Sequence, residues 1–103
     1  MIQRQERGGS LRKYKIFETE RFAQDIKLLA RSGRTQLEEK IHEYVYSQLK
    51  EEPHFGPNIK KLKGWTPCTW RYRIGDWRFF YIVDEEMRVV SMLAASHRKE
   101  AYR

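Results

Sequence analysis

The stretch Trp70 to Arg78, WRYRIGDWR, restricts the fold of this chain more than any other. Trp70, Tyr72 and Ile74 alternate with Arg71 and Arg73, which is the period-2 pattern of a β-strand. Gly75-Asp76 reads as a two-residue turn, because glycine tolerates the positive φ that tight hairpin turns need. The return strand runs from Trp77 to Val83. A two-residue loop pairs Ile74 with Trp77, Arg73 with Arg78, and Arg71 with Phe80. Three arginines then share one face, two of them directly across from each other, and like charges so placed destabilise a sheet. Two readings stay open. The arginines form a solvated outer face, or they face an anion. The opposite face carries Trp70, Tyr72, Ile74, Trp77, Phe79, Tyr81 and Val83, which is enough apolar material for a core.

The remaining elements follow from periodicity and punctuation. Lys13 to Glu18 alternates and predicts a first strand. Thr19 is placed to cap a helix whose Phe22, Ile26 and Leu29 fall at i, i+4, i+7, with Gly33 as its stop. Thr35 to Glu38 has capping-box spacing and opens a second helix with an apolar stripe of Leu37, Ile41, Tyr44, Val45 and Leu49, ended by Pro53. A loop with Gly56 and Pro57 leads into the basic run Lys60 to Lys63. After the hairpin, Asp84-Glu85-Glu86 turns the chain into a last strand, Met87 to Ala95. The order is β-α-α-β-β-β, an α+β fold in which two helices cover one face of an antiparallel sheet. Residues 1–12 are polar, contain Gly8-Gly9-Ser10, and read as a flexible lead-in to a single domain over 13–103.

A chain of 103 residues suits one modest core. The net charge of +7 points to a polyanionic partner. The charge is uneven. From Lys60 to Arg78, the cations Lys60, Lys61, Lys63, Arg71, Arg73 and Arg78 face one acid, Asp76, whereas Glu38, Glu39, Glu43, Glu51 and Glu52 load the middle of the chain. A single cysteine, Cys68, rules out an internal disulfide and fits a reducing cytoplasm; it reads as a small semi-buried filler. No apolar run approaches a membrane span, and no signal-peptide core is visible, so the expected location is cytoplasmic with no membrane partner. His42, His54 and His97 show no ligand spacing with Cys68 or the acids, so no metal or cofactor is expected. His42 and His54 read as surface residues.

Three spaced segments, KKLKG (Lys60 to Gly64), WRYRIGDWRFFYIVD (Trp70 to Asp84) and HRKEAY (His97 to Tyr102), resemble the RelE toxins of the RelE/ParE toxin–antitoxin superfamily. The likeness spans most of the chain, from about Tyr14 to Tyr102. It implies a small microbial-ribonuclease-type α+β fold. It also implies a toxin that cleaves mRNA in the ribosomal A site, and a cognate antitoxin that wraps and neutralises it. The family's strand-borne pair of cations matches Arg71 and Arg73, and its arginine just after the hairpin turn matches Arg78. Its arginine after the last strand matches Arg98, and its C-terminal tyrosine matches Tyr102. Some members carry lysines where Arg71 and Arg73 stand, and arginine is a poorer general base because it stays protonated. His97, which some members lack, therefore becomes the first candidate for proton transfer.

The residue types fit metal-independent cleavage. The ribose 2′-OH attacks the adjacent phosphate, and the phosphorane carries extra negative charge that pre-placed arginines hold more strongly as it develops. A base takes the 2′-OH proton and an acid protonates the 5′-oxygen. Lys60, Lys61 and Lys63 form a phosphate-attracting patch, and Trp65 beside them is the tryptophan most suited to contact RNA. The alternative implied by the same resemblance is a ParE-like inhibitor of DNA gyrase, with the fold but no nuclease activity. A nucleic-acid binder without catalysis is a further alternative.

Overall fold

The computed structural model describes residues 13–31 and 36–97. The chain runs through β1 (Lys15–Glu18), α1 (Glu20–Arg31), α2 (Leu37–Lys40), a π-helical segment (Ile41–Tyr46), α3 (Ser47–Glu51), β2 (Ile59–Leu62), β3 (Thr69–Ile74), β4 (Trp77–Asp84) and β5 (Val89–His97). The strands form one sheet in the order β1-β5-β4-β3-β2. The α+β class and the two helical arms over one sheet face agree with the sequence reading. Residues 1–12, the Gly33 stop, the Thr35 capping box and the tail beyond His97 lie outside the described residues.

The hairpin takes the register its turn dictates. Trp70 stands opposite Tyr81, Tyr72 opposite Phe79, Ile74 opposite Trp77, Arg73 opposite Arg78 and Arg71 opposite Phe80. Gly75 sits at φ +59, which a side chain would disfavour. Two features of the sheet differ from expectation. The basic run is not all loop, because Ile59–Leu62 adds to β3 as an antiparallel edge strand, with Lys60 opposite Arg71 and Lys61 opposite Trp70. Four residues with adjacent lysines carry no alternation, so only the free edge of β3 reveals the strand. The sheet is also mixed, since β1 pairs with β5 in parallel. The helical arms carry the chain to the far edge at β2, and three antiparallel steps from there bring β5 alongside β1 in the same direction. The last strand starts later than expected because residues 85–88 complete the turn. There Asp84 Oδ1 accepts the Met87 N–H at 3.0 Å, and Arg88 lies at φ +57.

Each helical arm buries the stripe its spacing predicts. Thr19 caps α1 by accepting the Phe22 N–H at 3.2 Å, and its hydroxyl donates to the Met92 carbonyl at 2.7 Å, so the cap also ties the helix to β5. Phe22, Ile26 and Leu29 go inward. In the second arm Leu37, Ile41, Val45 and Leu49 are buried, but Tyr44 is exposed and Tyr46 takes its place. The π-helical turn explains the exchange. Its i→i+5 spacing brings Tyr46 under Ile41, where a regular α-helix would bring Tyr44 and Val45. The Tyr46 hydroxyl donates to the Glu18 carboxylate, and burial together with that carboxylate pushes its pKa up, so it stays a neutral donor.

One core results, in which Phe22 packs against Phe79 with ring centroids 6.3 Å apart. Tyr81, fully buried, donates to the Pro53 carbonyl at 2.7 Å and fixes the chain as it leaves α3. His54 is not the plain surface residue expected. Its ring bridges the carboxylates of Glu52 and Glu85 at 3.2 and 2.5 Å, and Glu85 also accepts the Tyr14 hydroxyl at 2.8 Å. Cys68 is exposed rather than semi-buried. No helix among the described residues is long and apolar enough to cross a membrane.

These contacts set an order of sensitivities. Phe79→Ala is expected to lower stability by about 3–5 kcal/mol. Tyr81→Phe leaves a buried carbonyl unpaired and should cost about 1–3 kcal/mol. Phe55→Ala, at a residue 75% exposed, should stay within about 0.5 kcal/mol. Urea midpoints measure all three, and a Phe55 effect as large as that of Phe79 would contradict the packing described.

Candidate functional site

The face of the sheet turned away from the helices is built by register. One row crosses it from Arg73 to Arg78 to Ser96, and Asn58 extends the row by accepting the Arg73 N–H at 2.9 Å. The next row reads Lys60, Arg71, Phe80, Ala94. Neither row holds a carboxylate. Phe80 is covered by Trp65, whose indole stacks on it with centroids 6.1 Å apart and 10° between the planes. Beside the hairpin turn lies an open depression of about 380 Å³ lined by Pro57, Asn58, Arg71, Arg73 and Gly75.

Three polar atoms of these rows are left without partners: Arg71 Nε, Arg78 Nη1 and Ser96 Oγ are buried and have no hydrogen-bond partner among the described residues. Burial, and then the neighbouring charges of Arg73 and Arg78, hold the Arg71 pKa below the usual guanidinium range. Arg73 is exposed, and its Nε reaches the Gly75 carbonyl at 3.5 Å. Buried polar groups are normally paired, and a desolvated cation without a counter-charge is costly. An anion with several oxygens relieves both costs, since guanidinium groups match phosphate geometry in paired hydrogen bonds.

The structure thus brings together Arg71, Arg73, Arg78, Lys60 and Trp65. Lys61 pairs with Trp70 and belongs to the helix side of the edge strand, and Lys63 lies in the turn that follows β2. Arg98 and Tyr102 fall outside the described residues. His97 is separated from the arginines. It stands opposite Trp77, with the rings edge-to-face at 4.8 Å, and so takes the side of the sheet opposite Arg78. The cause is a β-bulge. Phe80 pairs with Ala94 but Tyr81 pairs with Met92, so Leu93 is an extra residue in β5. Strict alternation from Val90 would set His97 with the arginines and Ser96 in the core. One inserted residue exchanges them. Ser96 and Asn58 were missed for this reason. Neither has a sequence signal until the pairings of β5 and β2 are known.

The fold recurs in solved toxins. The toxin–antitoxin complex RelBE2 from Mycobacterium tuberculosis matches with a TM-score of 0.69 at 24% identity, covering 84% of this chain and 92% of that one. A mutant of the Escherichia coli toxin RelE in the free state matches with a TM-score of 0.61 at 23% identity, over 87% and 88% of the two chains. The YoeB dimer from Staphylococcus aureus gives 0.64 at 20% identity, over 82% and 97%. No match is found among curated proteins. The model of the ParE toxin of the type II toxin–antitoxin system parDE matches residues 16–102. With that match spanning the sheet, both helical arms and the arginine rows, the chain belongs to the RelE/ParE superfamily of type II toxins.

Proposed function

We propose that this toxin is a ribosome-dependent, metal-independent mRNA endoribonuclease, held in check by a cognate antitoxin. The observation that carries the reading is the pair of buried guanidinium N–H groups, on Arg71 and Arg78, that lack an acceptor among the described residues, on a face where two arginines already oppose each other. A surface that served solubility alone would extend these side chains into water. The solved relatives of the same fold support the partner, since the Mycobacterium tuberculosis structure is a toxin–antitoxin complex.

In this reading the ribose 2′-oxygen attacks the neighbouring phosphorus and the bond to the 5′-oxygen breaks, which leaves a 2′,3′-cyclic phosphate and a 5′-hydroxyl. Arg71, Arg73 and Arg78 stay protonated and take up the charge of the phosphorane, and such stabilisation is often the largest catalytic contribution. Arg98 and Tyr102 join them on the strength of the family motif. Lys60, Lys61 and Lys63 draw the toxin to ribosomal and messenger phosphates. His97, on the Trp77 side of β5, takes a packing role in place of proton transfer. A second reading is gyrase inhibition without cleavage. The ParE description of the matching family favours it, as does the absence of a histidine from the two arginine rows.

Single-turnover cleavage on programmed ribosomes at saturating toxin separates the readings. Arg73→Ala and Arg78→Ala should each slow cleavage by on the order of a hundredfold or more. Neither should unfold the protein, and the urea midpoint should hold or rise slightly as repulsion is relieved, by an amount that shrinks with added salt. Full activity in the double variant would end the active-site assignment. Gyrase inhibition without RNA cutting by the wild type would establish the second reading.

Two further variants sort the supporting residues. Lys60→Ala should weaken ribosome association in a salt-dependent way and leave the saturated rate nearly intact. His97→Ala should leave the pH profile of cleavage unchanged, and a flattened profile would return proton transfer to His97.

A further inference from the structure

The arginine rows account for a phosphate but not for the base attached to it. Trp65 packs beside Phe80 in an offset stack, with centroids 6.1 Å apart and planes 10° from parallel, and is 55% exposed. An offset stack overlaps only part of each ring, so Phe80 supports the indole and leaves much of its surface open. The loop that holds it is anchored at both ends. Gly64 turns the chain out of β2 at φ +78, and Thr69, 2% exposed, donates from its hydroxyl to the Pro67 carbonyl at 2.8 Å. Phe80, under the indole, is the cross-strand partner of Arg71, which in turn pairs with Lys60. Arg78 precedes Phe80 by two residues on β4 and points to the same side, a rise of roughly 7 Å along the strand. An exposed, flat aromatic surface therefore borders the three arginines at about the reach of one nucleotide.

We propose that Trp65, backed by Phe80, is the stacking platform for one unpaired nucleobase of the RNA strand whose phosphate the arginines hold. This rests on the nuclease reading and extends it to the substrate's form. A base in a duplex has both faces occupied by its neighbours, so the platform selects single-stranded RNA. Every base has a π-face, so the platform is tolerant of sequence and favours the larger purines. Phe80 acts as a positioning residue, keeping the indole parallel to the sheet so that the incoming base lies over the rows and not beyond their edge.

The test uses the intact toxin and a short single-stranded RNA carrying 2′-O-methyl groups, which lacks the attacking hydroxyl, with binding followed by fluorescence anisotropy. The same RNA is also made with one abasic residue at each position in turn. For the wild type, one abasic position should weaken binding by about 5- to 150-fold, the range of a single base–aromatic stack. Trp65→Leu still covers Phe80 but offers no flat ring. It should weaken binding of the intact RNA by the same factor and erase the abasic effect. Trp65→Phe should restore most of the affinity, and Trp65→Met, bulky but without a flat ring, replaces the leucine variant if the latter shows a lowered thermal midpoint. The salt slope should be unchanged in the Trp65 variants and reduced in Arg78→Ala. Unaltered affinity in Trp65→Leu, an abasic penalty that persists in it, or equal binding of duplex RNA would overturn the platform alone. Failure of the wild type to bind any free RNA would also overturn the platform, whereas the ribosome-dependent nuclease reading stands or falls on cleavage of programmed ribosomes.

Discussion

The register of the β3–β4 hairpin is the constraint on which the rest of the molecule depends. Gly75 and Asp76 close the turn in two residues, and this fixes Tyr72 against Phe79 and Arg73 against Arg78. Side chains alternate with a period of two, so a slip of one residue would carry every arginine into the core and every aromatic out to solvent. The burial of Phe79 and Tyr81 under the helical arms is therefore also what holds Arg71, Arg73 and Arg78 on one surface. Structure and the placement of charge are read from the same ladder of hydrogen bonds, and a change of register would alter both.

This coupling explains how the fold tolerates an unfavourable pair. A cross-strand arginine pair costs a fraction of a kilocalorie to about 1 kcal/mol. Full burial of a residue the size of Phe22, Phe79 or Tyr81 contributes more than that each. The repulsion is thus carried by a core on the other side of the same strands. Two attachments hold that core to the sheet from outside the hairpin. The Thr19 cap reaches the Met92 carbonyl, and Tyr81 reaches the Pro53 carbonyl. They clamp the beginning of the first helical arm and the exit of the second, so the face with the arginines needs no cover of its own.

What the sequence made legible was local, and what it hid was long-range. The hairpin, the Thr19 cap, the inward stripe of Phe22, Ile26 and Leu29, and the common face of the three arginines all follow from spacing within one or two adjacent elements. The edge strand Ile59–Leu62 escaped because its pattern is set by the neighbour it joins and not by its own alternation. Tyr46 replaced Tyr44 because one π-helical turn shifts the buried stripe by a residue. His97 changed sides because Leu93 is inserted opposite the Phe80–Tyr81 bond. In the helix the exchange is confined to that turn, since Val45 and Leu49 stay buried. In the strand a single extra residue moves all later side chains to the other face, and no local preference announces either event.

The bulge also bears on why arginine suits these positions better than lysine. With His97 turned to Trp77, the two arginine rows hold no histidine, and on the proposed reading their contribution is fixed charge. Fixed charge in a partly buried place requires a cation that keeps its proton. Burial and two neighbouring arginines pull the Arg71 pKa downward, and the same surroundings would act on a lysine from a starting value about two units lower or more. Arginine therefore keeps its proton more securely than lysine would in the same surroundings. The cost of that persistence is a native state that carries unmet positive charge. Any anion that fills the rows raises the Arg71 pKa back towards its ordinary value and stabilises the folded toxin by mass action. On the proposed reading, an RNA phosphate and an acidic segment of an antitoxin would draw on the same electrostatic deficit, and a partner that satisfied Arg71 and Arg78 would compete with the substrate.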